Sequence, residues 1–316
     1  MNLQTQIRLS AEKNPLDYDS KVLLLGSCFT EHIGGKLDYF KFRSLTNPFG
    51  ILFNPVSMFK LIHRALSDEF FTPADIFEKD GAWYCLEVHS LVFNSEKEDY
   101  IHQLNTLLVR LKNELMESSH IIFSFGTAWV HRFLKTNEIV ANCHKIPQKE
   151  FSKELLSVEM VATCIEGMVA KVKKVNPKAT FLCTVSPVRH IKEGLPENSL
   201  SKSHLIAGVH QVVASSEATY YFPSYEIMMD ELRDYRFFEK DMIHPNETAI
   251  DIIWEKFRSV WLAPQTAPLL KEIDAIQKGL LHRPFNSEGN EHKTFLKNLD
   301  AKIQHLKEHL PHVSFS

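Results

Sequence analysis

Residues 23–37, LLLGSCFTEHIGGKL, carry an apolar run through Gly26, Ser27 and Cys28 into a segment able to start a helix. The run opens at Lys21, and KVLLLG (Lys21–Gly26) is short, apolar and closed by glycine. That pattern suits a strand buried on both faces better than a helix. Three comparable runs follow: HIIFSFG (His120–Gly126), ATFLCTVS (Ala179–Ser186) and TYYFP (Thr219–Pro223). Each comes after a segment with helical periodicity. Asp99–Glu117 puts Ile101, Leu104, Leu107, Leu108 and Leu111 on one face, and Ser152–Val175 and Ser201–Ser216 are the other two helices. A weaker strand at Lys41–Leu45 completes a set of five. Strands alternating with helices of this length require parallel pairing with right-handed crossovers, hence an α/β fold: a three-layer α/β/α sandwich on a mainly parallel sheet.

Around this frame, Trp83–Val88 (WYCLEV) alternates like a half-exposed strand inside an insertion at residues 67–98. It is expected to pack over the carboxyl edge of the sheet, where open α/β folds build their sites. The main domain is expected over residues 1–262, with a helical extension over 263–316. The extension contains a loop, HRPFNSEGNEH, and a helix whose apolar stripe is Phe295, Leu296, Leu299, Ile303, Leu306 and Leu310. The stripe is expected to pack on the domain, and a homodimer, if one forms, would use these helices. At 316 residues, 44% hydrophobic, 24% charged and a net charge of −3, the chain reads as a globular protein with no nucleic-acid or membrane partner. No signal-peptide pattern opens the sequence and no run reaches roughly 18 apolar residues, so a cytoplasmic location is expected. The five cysteines form no CxxC pair and read as reduced.

A serine in the turn between a parallel strand and the next helix can cap that helix, or serve as nucleophile and oxyanion donor together. Ser27 is open to both readings. Cys28 could attack instead, but the residue after the turn serine is expected to face the helix–sheet interface. Neither GxxxxGK[ST] nor GxGxxG is present, which removes the usual phosphate and dinucleotide cradles. Cys143 and His144 have no second ligand pair at zinc-site spacing, so neither a metal nor a cofactor is expected. Downstream, DMIHPNETAIDIIWEKF sets Asp241 three residues before His244, close enough to fix the imidazole tautomer and leave the other nitrogen as a base. If the strands are parallel, this loop reaches the same sheet edge as Ser27. Acyl chemistry also needs oxyanion donors, for which the Ser27 amide, Gly50, Thr127 and Asn142 are candidates, each equally readable as a turn or cap residue. Arg189 and His190 of SPVRH could hold an anionic or sugar-like substrate, although Arg189 could instead pair with Asp230 or Asp234. Trp129 and His89 would wall the same pocket.

With these words in order (GSCF, NPFGILFNP, GTAWV, NCHK, SPVRH, SKSHL, YFPSYEIMMDELRDYRF and DMIHP), the sequence resembles the GSCFA family over roughly Leu23–Phe257. That family is similar to the SGNH or GDSL-type hydrolases. The resemblance implies a flavodoxin-like fold and ester hydrolysis, with Ser27 as nucleophile, Gly50 as oxyanion glycine, and Asp241 and His244 as acid and base. The broader class often removes acetyl groups, so a small O-acyl group on a sugar or glycan-like molecule is the expected substrate, which the resemblance itself does not fix, with acyl transfer or a non-catalytic binding role as alternatives. One departure stands out. The third SGNH block is GxND, whereas Gly126–Trp129 reads GTAW, so the oxyanion asparagine is missing at that place.

Overall fold

The computed structural model of the protein describes residues 5–285 and 289–315. Of the loop expected over HRPFNSEGNEH, residues 286–288 lie outside the described residues, as do residues 1–4 and 316. The central sheet has five strands: β1 (Lys21–Gly26), β2 (Arg43–Thr46), β5 (His120–Phe125), β9 (Thr180–Val185) and β10 (Thr219–Phe222). They lie in the order β10-β9-β5-β1-β2, and every pairing is parallel. Renumbered along the sheet's own strands, this is the flavodoxin-like order.

The apolar runs explain the layers. On β1, Leu23 and Leu25 enter one core cluster, and Val22 and Leu24 enter the other. The period of two thus sends alternate side chains to opposite faces, and both faces are dry. One face is covered by α2 (Pro55–Leu66), α3 (Lys97–Glu117), α4 (Val158–Val175) and α5 (Leu195–Ser215). The other is covered by α1 (Cys28–Tyr39), α7 (Glu247–Trp261), α8 (Ala267–Leu280) and α9 (Asn290–His309), with the single turn α6 (Ser224–Glu226) at the end of β10. Leu270, Ile273 and Ile276 of α8, and Leu299 and Leu306 of α9, are buried in the same cluster as Trp254 and Phe257. The stripe of the extension is therefore spent within the chain, leaving Leu296 exposed.

Two stretches differ from the sequence reading. The segment Ser152–Leu155, expected to open a helix, belongs to strand β8 (Phe151–Leu155). It pairs antiparallel with β6 (Trp129–Phe133), which also pairs with β7 (Glu138–Val140). Helix α4 starts only after Ser157, whose hydroxyl accepts from the Met160 N–H at 3.2 Å. The strand expected over Trp83–Val88 is the shorter β4 (Ala82–Cys85), paired with β3 (Ile76–Lys79) in a hairpin.

Parallel strands carry all their crossovers, so the carboxyl ends of β1 and β5 mark the place where the chain changes its direction of growth. The crevice at such a switch point is where open α/β sheets bind ligands.

Candidate active site

The turn after β1 is built around Gly26. Its φ is +143°, and a Cβ there would lie 2.1 Å from the Ser124 carbonyl oxygen, so only glycine fits between the two central strands. The Gly26 N–H donates to Asn47 Oδ1 at 2.8 Å, tying the turn to the end of β2.

Ser27 follows, and it faces inward. It is 0% exposed, its hydroxyl lies 2.8 Å from Ser124 Oγ, and it accepts from the Phe29 N–H at 3.2 Å as the cap of α1. Its own N–H donates to the Ser124 carbonyl at 3.0 Å. The half-buried Cys28, first residue of α1, is the residue of this turn that lines the cavity. Burial pushes its thiol above the ordinary range, opposed by its own backbone N–H and by the charge of Lys202.

The cavity has a volume of about 520 Å³, a size suited to a small ligand. Its floor carries Cys28, Asn54 and Thr127, its antiparallel wall Trp129, Val130 and His131 of β6, and its far side Arg189, His190 and His244. A groove of about 1040 Å³ between α1, α7 and α8 is lined by surface ion pairs such as Lys36–Asp251 at 2.5 Å, with no nucleophile beside a base.

His244 sits at the cavity with Nδ1 2.6 Å from Asp241 Oδ2. Asp241 Oδ1 also accepts from the N–H groups of Ile243 and His244 at 2.9 and 3.0 Å. These bonds, the His244 N–H first, hold the Asp241 carboxyl down at about 2. The aspartate stays ionised, and with its proton on Nδ1 the ring turns Nε2 free for base work. Pro245 and Asn246 end the loop, and Asn246 caps α7 by accepting from the Ala249 N–H at 3.1 Å. The local geometry of DMIHP is thus the one its spacing suggested.

Other expected site residues are placed differently. The Gly50 N–H closes a turn onto the Asn47 carbonyl at 2.8 Å, so with the Ser27 N–H it is already spent and neither can meet an oxyanion. Asn142 folds its Oδ1 back onto the His144 N–H at 2.8 Å and does not line the cavity, a local turn outcompeting a ligand role. His89 packs against Gly50, where a Cβ would come within 2.5 Å of the His89 Cβ, and also stands outside the cavity. Thr127 does line it, but its hydroxyl lies 3.0 Å from Ser201 Oγ and accepts from the Trp129 N–H at 3.0 Å. Trp129 lines the wall with its indole N–H held by the Glu197 carbonyl at 3.2 Å. Among the described residues Arg189 makes no ion pair: its guanidinium lies over Phe238 at 4.4 Å and Tyr235 at 5.5 Å, with Met229 Sδ at 3.9 Å. His190 Nε2 is buried with no hydrogen-bond partner among the described residues, and burial pulls its ring down to about 3, so it is neutral.

Two residues that sequence reasoning passed over belong here. Lys202 is buried beneath the turn, donating to the Gly126 and Ser186 carbonyls at 2.7 Å each, and burial lowers its ammonium to about 7. Nothing in SKSHL separates it from a surface cation. Asn54 is 4% exposed; its Oδ1 accepts from the Ser57 N–H at 2.9 Å. The Asn54-Pro55 pair is a helix-start signal and could have located this cap.

Buried neutral histidines make the fold acid-sensitive. His144, 4% exposed between Phe77 and Tyr84, is lowered by burial to about 4. The unfolded ring titrates near ~6.5, so the unfolded state binds the proton first as pH falls. Stability is fully present above that pH and is lost downward until the folded ring protonates. The expected loss from His144 is about 1 kcal/mol per pH unit in this window. A His144→Gln variant should show a shallower decline of Tm between neutral and mildly acidic pH; an unchanged slope would remove His144 as a cause.

Among the described residues no cluster of three or more His, Cys, Asp or Glu is arranged to hold a metal ion, and no helix is long and apolar enough to cross a membrane. No curated protein matches the chain in sequence. Among solved structures it is similar to an acetyl xylan esterase from the rumen bacterium Butyrivibrio proteoclasticus (9% identity, TM-score 0.39, 78% of this chain and 65% of that one). A family two carbohydrate esterase from Clostridium thermocellum, solved with cellohexaose, aligns at 11% identity and TM-score 0.34, over 79% and 66%. A Clostridium thermocellum family 3 carbohydrate esterase aligns at 12% identity and TM-score 0.31, over 80% and 97%. The chain spans just under two thirds of the first two proteins. At such identities and TM-scores the likeness carries no argument about activity. Residues 273–316 match the GSCFA domain protein C-terminal domain, residues 21–257 match the GSCFA family, and the chain belongs to that family.

Proposed function

We propose that the protein is a carboxylic ester hydrolase that removes a small O-acyl group from a carbohydrate-like alcohol through a covalent acyl-enzyme. The observation that carries this reading is the His244–Asp241 pair, 2.6 Å apart, opening on the cavity that also reaches the first residue of α1. A base oriented by an ionised carboxylate and facing a helix N-terminus is the arrangement acyl transfer uses. Of the expected triad, His244 and Asp241 serve as base and orienting acid. The cavity volume of about 520 Å³ favours a short acyl chain, and Trp129 offers a ring face to a sugar. Arg189, stacked on aromatic rings and without an ion pair among the described residues, is suited to hydroxyl or carboxylate groups on the alcohol side.

The test is release of acetate from acetylated xylo-oligosaccharides, alongside p-nitrophenyl esters of increasing chain length. Turnover that falls as the acyl chain lengthens supports the reading. No turnover of any of these esters, with the folded protein verified by its thermal transition, would overturn it. Transfer of the acyl group to an added alcohol in place of water would reassign the protein as an acyltransferase on the same site.

A further inference from the structure

We propose that the attacking atom is the Cys28 thiol, activated by His244, and that the side-chain amide of Asn54 receives the oxyanion. This rests on the ester-hydrolase reading and supplies the two members that reading leaves open.

The first argument is direction. In the GSC turn the serine hydroxyl is used twice inside the protein, by Ser124 and by the Phe29 N–H, and has no exposed surface. The next side chain opens on the cavity that His244 also lines. A nucleophile must reach both its base and its substrate, and Cys28 is the member of the pair placed to do so.

Charge is the second. Cys28 is the first residue of α1, where orphan N–H groups and the positive end of the helix dipole favour a thiolate. Lys202, held between the ends of β5 and β9, favours the thiolate when protonated. Against these, burial and Glu31 favour the neutral thiol. The resting group is therefore a thiol that gives up its proton to His244 during attack.

Asn54 provides the third, independent observation. Its Oδ1 is committed to the Ser57 N–H, which fixes the amide plane and leaves Nδ2 at the other end. Among the described residues Nδ2 has no hydrogen-bond partner, although Asn54 is 4% exposed and lines this cavity. Nδ2 is not one of the polar atoms sealed from solvent without a partner, so it is a donor on the cavity wall that a ligand can reach. With the Ser27 and Gly50 N–H groups consumed elsewhere, Asn54 Nδ2 is a donor that lines the cavity with Cys28, and it takes the place of the asparagine that GTAW lacks.

The chemistry balances with water as co-reactant. Cys28 Sγ bonds to the ester carbonyl carbon while its proton passes to His244 Nε2. Collapse of the tetrahedral oxyanion breaks the carbon–alkoxide bond, and His244 returns the proton to the departing alcohol. Water then attacks the thioester, giving a proton to His244, and the carbon–sulfur bond breaks to release the carboxylic acid and restore the thiol.

The full-length protein is treated with p-nitrophenyl acetate, quenched in acid and mapped by mass spectrometry. Acetyl on the Val22–Lys36 tryptic peptide should be removed by neutral hydroxylamine and should be absent from Cys28→Ala. A hydroxylamine-stable acetyl on Ser27, or a Cys28→Ala protein that still turns over, overturns the proposal. Asn54→Asp keeps the capping oxygen but removes the donor; kcat is expected to fall about 10²-fold with KM little changed and Tm retained. Wild-type kcat in Asn54→Asp would remove Asn54 from the oxyanion role. If the wild type hydrolyses no ester, the hydrolase reading fails separately. The rate of Cys28 alkylation by iodoacetamide then decides: at least about 10-fold faster in wild type than in His244→Ala supports the thiol–imidazole pair, and equal rates overturn it.

Discussion

His244→Ala is expected to lower kcat/KM for a short acyl ester by about 10³- to 10⁴-fold while leaving the fold intact. His244 lines the cavity with Asp241 held on Nδ1 at 2.6 Å, and the proposed mechanism gives its other nitrogen both proton transfers. Its removal takes away both proton transfers of the cycle, and no neighbour replaces it. His190, which lines the cavity together with His131, is buried, neutral and held to about 3, too weak a base to take over. The fold should not notice the loss, because His244 is 44% exposed in its side chain and packs into neither core cluster. Surface changes of this kind stay within about 0.5 kcal/mol of the wild type. Steady-state kinetics with p-nitrophenyl acetate and a thermal melt check both halves. Activity within 10-fold of wild type would exclude His244 as the base.

The second large effect is on stability. Gly26→Ala should cost about 4 kcal/mol or more, enough to prevent folding in a domain of ordinary stability. The added methyl would sit 2.1 Å from the Ser124 carbonyl oxygen, and that oxygen belongs to the backbone of the central strand, paired to β1 on one side and β9 on the other. Neither neighbour can give way without breaking ladder hydrogen bonds. The backbone at φ +143° adds its own strain for any residue with a Cβ. Soluble expression and urea unfolding measure this, and a midpoint close to wild type would mean the turn has another accessible geometry.

Much of the architecture was legible in short words. KVLLLG, HIIFSF and TFLCTV are apolar at most positions, and a strand with two dry faces has to lie inside a parallel sheet with helices on both sides. The Asp241–His244 contact was legible for a different reason: three residues of chain and two backbone N–H groups build it locally, with little help from elsewhere. The β6-β7-β8 wall was not, because strands of three to five residues alternate too briefly to be told from a helix start, as Ser152–Leu155 demonstrates.

The sequence by itself determined the layered sheet, the edge at which its turns converge and the His244–Asp241 contact, since each follows from hydrophobic period or from contacts within a few residues. Only the tertiary structure decided which atoms at that edge are free. Ser27 is turned inward by Ser124, 97 residues away along the chain, and the N–H groups of Ser27 and Gly50 are taken by neighbouring carbonyls. Asn54 lines the cavity and Lys202 is buried against the Gly126 and Ser186 carbonyls, placements set by contacts between distant segments. Hydrogen bonds between distant segments compete for every polar group in a turn, and which groups remain for a substrate is known only once those competitions have been resolved in three dimensions.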